Sequence, residues 1–587
     1  MQRDKDNGMS TIPISTSSAT IAPPHDASPT DARSRSFIGH ARLIGGLTLV
    51  SRIMGLGREI VAGHYLGTGL VASAFTVAFT IPNLFRKLLG EGALSAAFIP
   101  LYTKAIKEEG EQEANLFAAA AVNLLAVILL GITVVGEVIL AACIAWTSQG
   151  RPERLLMLKL TAIMLPYVLM ICGVAFLSGI LQVHRRFGIP AAAPIILNVC
   201  HIAILLIGAW ILGLHTNTPR AETIILQTKL AYWLAMVVLV AGVLQVAMLL
   251  PSLRAAGFRF KPVLRFWTPA IRKMLLLSLP VALGAGVLQL SVLLDKGISF
   301  ALMQDVDSAG RIITHFHFFH HIVRYPMVLG APRRLDLAQF LYQFPLGVFA
   351  IALATAVFPN LSSDALDKDR NRFRNVLRHG IEAALWEGLP ASLGLILVST
   401  PAVKLLFLNG HIHAQDAALI SRSVTFYAGA IWAFSALQIL NRAYYAIHDM
   451  TTPLVMSIVN ILLNLIVELP LLWWMGESAM AVGTLVSFAI QAVVMIWMLN
   501  RKIGGLDLHK SVVPVIKMLI GTLAMGAACY AVQHIPGYPT GERRTIWLAQ
   551  LVIIMGVGGL VYLAACHLMG LETVIRLKPR RPRTTAA

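Results

Sequence analysis

Charged side chains stand inside two long apolar stretches near the start of the chain, one over 40–64 and one over 70–104. Each stretch is long enough to cross about 30 Å of hydrocarbon as a helix. An arginine at the centre of a bilayer costs roughly 2.5–3.5 kcal/mol, whereas each Leu, Ile or Val recovers only about 0.3–0.6 kcal/mol. We therefore expect the polar residues of both stretches to face a wet cavity inside a helix bundle. They are Ser51, Arg52, Arg58, Glu59, Arg86, Lys87 and Glu91.

The chemistry that this set predicts is anion binding. Three arginines and one lysine against two glutamates leave an excess of positive charge, and the planar guanidinium group grips phosphate or carboxylate oxygens in pairs. A multiply charged anion such as a pyrophosphate fits this site best. The alternative is structural ion pairing, of Arg52 with Glu59 and of Arg86 with Glu91, or arginine side chains that extend to the membrane interface.

The backbone beside these charges contains residues that can interrupt a helix. Arg52 and Glu59 are seven positions apart, so they share a face on a continuous helix. Gly55, Gly57 and Pro82 can break the helices and open backbone groups to a cavity.

A second polar set lies in the other half of the chain. Asp295, Asn460, Asn464 and Thr484 all fall within apolar stretches, and the two asparagines are one helical turn apart. One carboxylate with neutral oxygen donors is a reasonable shell for Na⁺ or H⁺, which predicts a site for a coupling ion. The alternative is hydrogen bonding between helices, in which Asn and Thr often join membrane segments.

Other candidate sites have less support. Four histidines between 315 and 321 lack a carboxylate or cysteine at metal-ligand spacing, so we expect a surface helix there rather than a metal site. Glu382, Glu387 and Glu468 lie near the ends of apolar stretches, which predicts interfacial positions. The sequence has no P-loop, HExxH or GxSxG motif, so we expect no catalytic site. The five cysteines lie in apolar stretches without a CxxC spacing and predict buried apolar residues.

The composition gives the class of protein that positions these residues. The chain has 587 residues, of which 57% are hydrophobic and 13% charged, and its mean hydropathy is +0.72. Soluble domains contain about 25% charged residues, so this chain cannot cover several domains with polar surface. The strands of a transmembrane barrel alternate apolar and polar residues. These long apolar stretches do not alternate, which argues against a barrel. We predict an all-α polytopic membrane protein whose net charge of +19 reflects basic cytoplasmic loops, not nucleic-acid binding.

About 14 membrane spans are predicted. They lie near 40–64, 70–104, 115–146, 155–183, 189–213, 229–250, 274–302, 335–362, 380–407, 421–447, 452–475, 478–499, 512–534 and 545–570. Basic residues concentrate in alternate loops such as 251–273 and in the tail after 575, which predicts cytoplasmic termini. The segment 303–334 interrupts this pattern, and we expect it to be an extracytoplasmic insertion with a short amphipathic helix on the membrane.

Two lobes follow from an internal similarity. The run 179–198 and the run 440–460 both join a helix end to a polar turn, a proline and a new apolar helix with an asparagine. Two repeated six-helix lobes explain this similarity, as in transporters with internal repeats. The predicted divisions are a disordered cytoplasmic tail (1–36), a first lobe (37–262), a second lobe (263–505), two further spans (506–575) and a basic tail (576–587).

The opening motif resembles that of a known family. The run over 51–102 begins SRIMGLGRE and continues through IPNLFRK to EGALSAAFIP, and it resembles the start of the MurJ (MviN) lipid II flippase family. Further similar runs are GILQVHRRF, FLYQFPLGVFAIALATAVFPNLS and NRAYYAIHDMTTP. The similarity extends over nearly all of 38–570 and places the chain near multidrug exporters and polysaccharide flippases.

The resemblance implies a function, a substrate and roles for residues. Members of this family carry the undecaprenyl-pyrophosphate-linked peptidoglycan precursor from the inner to the outer leaflet of the bacterial cytoplasmic membrane. Their 14 helices surround a cationic cavity, and the last two helices form a groove for the lipid tail. By motif position, Arg52, Arg58 and Arg86 would be the essential cavity arginines, with Lys87 and Glu91 beside them. The Na⁺ site of some members would fall on Asp295, Asn460, Asn464 and Thr484.

The chain departs from the family pattern at two positions. Ser73 stands where the family often has an acid, and Ala338-Gln339-Phe340 replaces the Ala-Asp-Arg run that supplies a cavity arginine. Arg333 and Arg334 are the candidates to replace that arginine.

Several functions are left open by the sequence. We predict a lipid II flippase, not an enzyme, with the membrane and other cell-wall synthesis proteins as candidate partners. One alternative is a flippase for another polyprenyl-linked oligosaccharide or a cation-coupled drug exporter, although an exporter would need acids in the first-lobe cavity. A polytopic glycosyltransferase would need an external carboxylate, for which Asp305 and Asp307 are the candidates. A scaffold without transport activity would tolerate changes in the cavity.

Overall fold

The computed structural model describes residues 29–147, 152–216, 218–260, 267–307, 311–365 and 370–571. Within these residues the chain is almost entirely helical, as expected for backbone that must satisfy its own hydrogen bonds in lipid. The α-helices are α1 (Pro29–Leu66), α2 (Leu70–Phe85), α3 (Leu94–Glu108), α4 (Glu111–Trp146), α5 (Pro152–Met164), α6 (Tyr167–Val183), α7 (Gly188–Leu212), α8 (Arg220–Ala255), α9 (Pro269–Ala301), α10 (Ala331–Pro345), α11 (Ile351–Ala365), α12 (Arg370–Phe407), α13 (Ala414–Gly429), α14 (Ile431–Ala446), α15 (Thr451–Met475), α16 (Ser478–Lys502), α17 (His509–Gln533) and α18 (Arg544–Leu568).

The polytopic all-α class predicted from composition is confirmed. Eight helices in the described part of the chain are long and apolar enough to cross a membrane, and two bent helix pairs would raise that number to ten. The predicted spans 1, 2, 7 and 8 correspond to α1, α2–α3, α9 and α10–α11, the helices that carry charged residues. The total of 14 spans stays a prediction.

The two-lobe repeat is visible in the irregular features of the helices. A π-helical segment, Arg86–Ala93, joins α2 to α3, and another, Leu346–Ala350, joins α10 to α11. Helices α5 and α6 meet at a 44° bend, and α13 and α14 meet at a 42° bend. Each irregularity recurs six predicted spans later, as in a duplicated six-helix unit. We call α1–α8 the first lobe and α9–α16 the second lobe; the predicted residue boundaries of the lobes stay predictions.

Packing places the last two helices against the second lobe. Helices α17 and α18 contact each other and α12, and this group has its own buried apolar core. The largest core extends through both lobes, and α9 packs on α2 and α3 of the first lobe. Span 2 of the first lobe is therefore the main neighbour of the second lobe.

At the end of the lobes predicted to be extracytoplasmic, the two lobes also touch. The Thr68 hydroxyl donates a hydrogen bond to Asp416 across 2.7 Å, and the amide of His411 donates to the carbonyl of His64 across 3.1 Å. Arg334 bonds the same Asp416 and, through two nitrogens, Glu477. A network of charged hydrogen bonds thus joins α1–α2 to α10, α13 and α16.

The helix predicted within 303–334 is wrong. The described residues of this segment form two antiparallel hairpins, β1 (Asp305–Val306) with β2 (Ile312–Ile313), and β3 (His315–Phe318) with β4 (His321–Arg324). Alternating histidine and aromatic or β-branched residues suit a strand better than a helix. The segment is also shorter than predicted, because α10 begins at Ala331 and includes both Arg333 and Arg334.

Parts of the predicted tails can be compared with the structure. Helix α1 begins at Pro29, so residues 29–36, predicted to be disordered, are helical. Residues 1–28 and the tail 576–587 lie outside the described residues.

A candidate anion-binding cavity between the lobes

Helix α1 supplies the first charges of the cavity. It continues without a break through Gly55 and Gly57, so the interruption that these glycines allow does not occur. Continuity fixes the direction of each side chain by its position in the helical repeat. Arg58 and Glu59 both line the cavity, and the Nε atom of Arg58 donates to Glu59 Oε1 across 3.1 Å.

A single carboxylate connects the two lobes inside the cavity. Glu59 Oε2 lies 2.7 Å from Arg333 Nη1 of α10, while Glu59 Oε1 is bound by Arg58. Both Glu59 and Arg333 are buried. The ion pair predicted between Arg52 and Glu59 is therefore wrong, and the second lobe supplies the partner instead.

A second ion pair extends this network along the second lobe. Lys296 Nζ of α9 lies 2.6 Å from Asp336 Oδ1, and Arg333 Nη1 lies 3.4 Å from Asp336 Oδ2. The Nη2 atom of Arg333 is buried with no hydrogen-bond partner among the described residues. Leaving such a donor unpaired costs about 1–3 kcal/mol, which an added anion would recover.

The cavity has a volume of about 980 Å³ and is lined by residues of both lobes. Its described lining contains five cations and two carboxylates, so it carries an excess of positive charge. Low-dielectric walls strengthen this field and attract anions. The charged lining residues are Arg58, Glu59, Arg86, Lys87, Lys296, Arg333 and Asp336.

The structure separates the residues that the sequence grouped together. Arg86 and Lys87 line the cavity beside Arg58, as predicted. Arg52 does not: its guanidinium packs against Gly347 so closely that a Cβ atom at 347 would overlap it. Ser51 contributes only a carbonyl oxygen, which accepts a 3.2 Å hydrogen bond from the amide of Asn198.

The side chain of Glu91 lies outside the described residues, so its predicted place beside Arg86 is not compared. The cation expected at Phe340 comes from Arg333, one of the two candidates; Arg334 is held by acids outside the cavity. Ser73, where the family often has an acid, is buried and donates a hydrogen bond to the carbonyl of Thr68.

The second polar set forms a compact group that includes an unpredicted residue. The amide of Asn464 donates to Asp295 Oδ1 across 3.4 Å and to Glu468 Oε2 across 3.0 Å. Glu468 is fully buried, so the interfacial position predicted for it is wrong. Asn464 Oδ1 and Glu468 Oε1 are buried without hydrogen-bond partners among the described residues. Two orphaned oxygens beside two carboxylates suit a small cation or a shared proton.

Asn460 and Thr484 are less directly involved than predicted. Asn460 is buried one turn before Asn464, but its amide nitrogen has no partner among the described residues. The hydroxyl of Thr484 donates to the carbonyl of Met480 on its own helix. The structure therefore brings Asp295, Asn464 and Glu468 together and leaves the other two residues at the edge of the group.

Glu382 is buried, so the interfacial position predicted for it is wrong, and its partners are structural. Glu382 accepts hydrogen bonds from His379 and Ser511 near the start of α12. No group of three or more His, Cys, Asp or Glu side chains in the described residues could hold a metal ion. The histidines of the β3–β4 hairpin belong to the described residues and form no such group.

Three residues that line the cavity are not predicted from the sequence, although the sequence around each gives some indication. They are Lys296, Asp336 and His201. Lys296 directly follows Asp295, yet the two side chains leave α9 in different directions, toward the cavity and toward Asn464. Asp336 lies three residues after Arg333, which is the spacing of one helical turn. His201 lies in an apolar stretch and looks like an ordinary buried histidine.

The family model and the relatives that match this chain all belong to one family. The family model described as "Lipid II flippase MurJ" matches residues 62–542. A relative from Rhizobium tropici, named "Probable lipid II flippase MurJ", is 29% identical over 553 residues, which cover 92% of this chain and 96% of that protein. A protein from Burkholderia cenocepacia named "Lipid II flippase MurJ" is 28% identical over 424 residues, covering 71% of this chain and 74% of its own.

Solved structures show the same fold. A structure titled "Lipid II flippase MurJ, inward closed conformation" has a TM-score of 0.68 at 21% identity and covers 91% of this chain and 99% of its own. An inward-facing MATE-family multidrug transporter of the MOP superfamily has a TM-score of 0.59 at 13% identity and covers 80% of this chain and 99% of its own.

Proposed function

Because this chain belongs to the lipid II flippase MurJ family, we propose that it moves lipid II from the inner to the outer leaflet of the bacterial cytoplasmic membrane. It would act as a carrier and not as an enzyme, with both termini in the cytoplasm. The observation that carries the proposal is the cavity between the lobes, whose described lining contains five cations and two carboxylates. Such a site suits the pyrophosphate of a lipid-linked saccharide.

Arg58 and Arg333 would hold the pyrophosphate. They belong to different lobes and share Glu59 in the structure. An entering pyrophosphate would compete with Glu59 for both guanidinium groups and would then bridge the lobes itself. Lys296, Arg86 and Lys87 would stabilise the remaining negative charge. Alternating access by rocking of the two lobes about this central site would carry the headgroup across the membrane.

The lipid tail would stay outside the polar cavity. A separate cavity of about 290 Å³ lies among α12, α16 and α17, and its walls are almost entirely apolar. Leu385, Ile496 and Val512 are among its lining residues. This surface, together with α18, would accommodate an isoprenoid chain while the headgroup crosses.

A bound cation or proton at Asp295 and Glu468 would couple to transport. Carboxylate and amide oxygens are suitable donors for Na⁺, and two carboxylates that share Asn464 are equally suited to hold one proton. Asp295 adjoins Lys296 on α9, so a shift of this helix would move both the ion group and the cavity cation. The cation would supply positive charge between the two acids and help fix the position of α9.

The experiment is a flipping assay in vesicles that contain the purified protein and lipid II with a fluorescent headgroup. We expect the wild-type protein to expose inner-leaflet label to a membrane-impermeant quencher, and Arg58→Ala to abolish this exposure. Arg311→Ala is a matched control, because Arg311 is an exposed arginine on the insertion. Failure of the wild-type protein to expose lipid II, or formation of glycan polymer by it, would reject the proposal.

A separate assay addresses the coupling ion. Glu468→Gln keeps the size of the side chain and removes its charge, so we expect it to weaken the dependence of flipping on Na⁺ or on a pH gradient. Glu153→Gln is the control, because Glu153 is a buried acid that lines neither cavity and lies outside the ion group. Unchanged ion dependence in Glu468→Gln would rule out this group as the coupling site.

A further inference from the structure

Two stacked phenylalanine rings and a histidine line one side of the cavity in the first lobe. Phe75 and Phe79 of α2 have ring centroids 5.9 Å apart and nearly parallel planes. His201 of α7 lies against both, with ring centroids 6.3 Å from Phe75 and 5.6 Å from Phe79. All three residues line the same cavity as Arg58 and Arg333. We call these three residues the aromatic pocket.

The histidine of this pocket has an unused hydrogen-bonding atom. His201 is 3% exposed, and its Nε2 atom has no partner among the described residues. Buried polar atoms are normally satisfied, so an orphaned ring nitrogen on a cavity wall indicates a missing ligand group. Whichever tautomer is present, Nε2 offers either a donor or an acceptor.

The pocket is held in place by the first lobe. Asn198 lies one turn before His201 on α7 and also lines the cavity. Its Nδ2 atom donates to the carbonyl of Ser51, which fixes α7 against α1 beside the pocket. An amide that donates through Nδ2 retains Oδ1 as an acceptor. The wall thus combines apolar ring faces with a small number of fixed polar groups.

We propose that the aromatic pocket binds a sugar ring of the substrate headgroup, an inference that rests on the proposed function. Sugar rings present C–H faces that pack on aromatic side chains and hydroxyl or acetamido groups that need hydrogen bonds. Phe75 and Phe79 provide the first surface, and His201 with Asn198 provides the second. No ion pair joins these side chains among the described residues, which suits a neutral ligand.

The position of the pocket relative to the cations supports this assignment. His201, Arg58 and Glu59 all line the same cavity in the first lobe. A headgroup whose phosphates contact Arg58 would therefore bring its first sugar to the aromatic pocket. The cavity of about 980 Å³ is large enough for both groups at once. The pocket would then select lipids that carry a saccharide over the bare polyprenyl pyrophosphate.

The test compares the affinities of two ligands for the purified protein in detergent. One is lipid II, and the other is undecaprenyl pyrophosphate without a sugar. We expect His201→Ala and Phe79→Leu to weaken lipid II binding about tenfold, the size of one lost buried hydrogen bond or ring contact. The same variants should bind the sugar-free lipid within about twofold of wild type. His201→Gln, which keeps a polar group, should restore part of the loss.

The controls separate this inference from the proposed function. Arg333→Ala should weaken binding of both lipids, because it removes a phosphate contact. Phe434→Leu alters a similar aromatic pair away from the cavity and should change neither affinity. Wild-type protein that binds neither lipid would contradict the proposed function. Wild-type protein that binds both lipids, with pocket variants that lose both equally or lose neither, would overturn the sugar site alone.

Discussion

Glu59 is the residue on which the charge arrangement of the cavity depends. It is buried and contacts Arg58 of its own helix and Arg333 of the other lobe. One buried carboxylate between two guanidinium groups neutralises only one of their two charges, so the three residues keep a net positive charge that an added anion can compensate. Glu59 therefore occupies the position that a substrate phosphate would take.

Arg333→Ala is expected to reduce lipid II flipping at least tenfold. The change removes the second-lobe guanidinium and leaves Glu59 paired with Arg58 alone, so the cavity loses its charged contact between the lobes. The flipping rate in vesicles, normalised to the amount of folded protein, measures the effect. Arg311→Ala, on the exposed insertion, should keep the wild-type rate. Equal rates for both variants would exclude a role for Arg333 in transport.

The cavity charges could be predicted only in part from the sequence. Arg58, Arg86 and Lys87 were identified by their cost in an apolar stretch, and all three line the cavity. Arg52 met the same criterion but lies six residues before Arg58, about 120° away on a continuous helix. Arg333 could not be chosen over Arg334 because neighbouring residues face different sides of α10. The partners of each, Glu59 and Glu477, are distant in sequence.

At the scale of elements, the π-helical segments change which residues face the neighbouring helices. A regular helix would direct the same residues elsewhere. The segment Leu346–Ala350 presents Gly347 to the guanidinium of Arg52, so α1 and the second lobe come into close contact there. Extra residues of this kind inside helices often occur at functional sites. Any larger residue at 347 would require the Arg52 guanidinium, the end of a flexible side chain, to move from this position.

Gly347→Ala is expected to lower flipping several-fold. Its Cβ atom would overlap the Arg52 guanidinium, which must then move and disturb the contact between α1 and the second lobe. Gly131→Ala is the matched control, because its position on α4 has open space and alanine favours a helix by roughly 1 kcal/mol over glycine. Vesicle flipping and thermal unfolding should be measured for both. Wild-type flipping by Gly347→Ala would show that this close approach has no functional role.

Asp449 links two helices at the end of the second lobe predicted to be cytoplasmic. It accepts hydrogen bonds from the amide and hydroxyl of Thr452 at the start of α15, and it pairs with Lys502 of α16 across 2.6 Å. Partial burial raises the pKa of this carboxyl, but the hydrogen bonds from Lys502 and Thr452 outweigh it and lower the pKa from 3.8 to about 2. The charged form is thus favoured by the fold.

Asp449→Ala is expected to destabilise the protein by about 1 kcal/mol near pH 7, the usual cost of a lost helix cap. A lowered pKa contributes stability above the unfolded value of 3.8, and this contribution disappears as pH falls toward about 2. The difference in thermal unfolding between wild type and variant should therefore shrink over that range. Asp449→Asn keeps a capping group and should lose less. A difference that is constant with pH would argue against the ion pair.

The elements themselves were predictable where periodicity and length were strong. The bent pair α5–α6 and the long π-interrupted span near 70–104 correspond to predicted spans. The sequence does not predict the hairpins of the insertion, because His317 and His321 have the spacing of one helical turn, whereas in the structure His317 pairs with Ile322 and His321 with Phe318. Cross-strand pairing, not spacing along the chain, decides between the two, and pairing is not visible in a single sequence.

For the whole molecule, the proposed alternating-access cycle requires the contact between the lobes at the predicted extracytoplasmic end to open. The Thr68 hydroxyl bonds Asp416 of the other lobe there, and Arg334 of the second lobe holds the same carboxylate. A change that prevents their separation should stop the cycle without altering the cavity.

A Thr68→Cys, Asp416→Cys double variant linked by a short thiol-specific reagent is expected to lose flipping and to regain it when a cleavable link is reduced. The two native side chains are 2.7 Å apart, so short links can span the positions. Cys143 is exposed, so the burial predicted for it is wrong, and it should be replaced by serine in the background. Each single-cysteine variant treated in the same way should stay active. Full activity of the linked protein would show that the lobes do not separate here.

The charge excess in the cavity predicts that transport is sensitive to the membrane potential. With five cations and two carboxylates in the described lining, the cavity is more positive when empty than when it holds a pyrophosphate. One elementary charge moved through 100 mV changes the free energy by about 2.3 kcal/mol. An interior-negative voltage would therefore draw the empty cavity back toward the cytoplasm more strongly than the loaded one. The rate of lipid II flipping should therefore differ between vesicles held at opposite voltages.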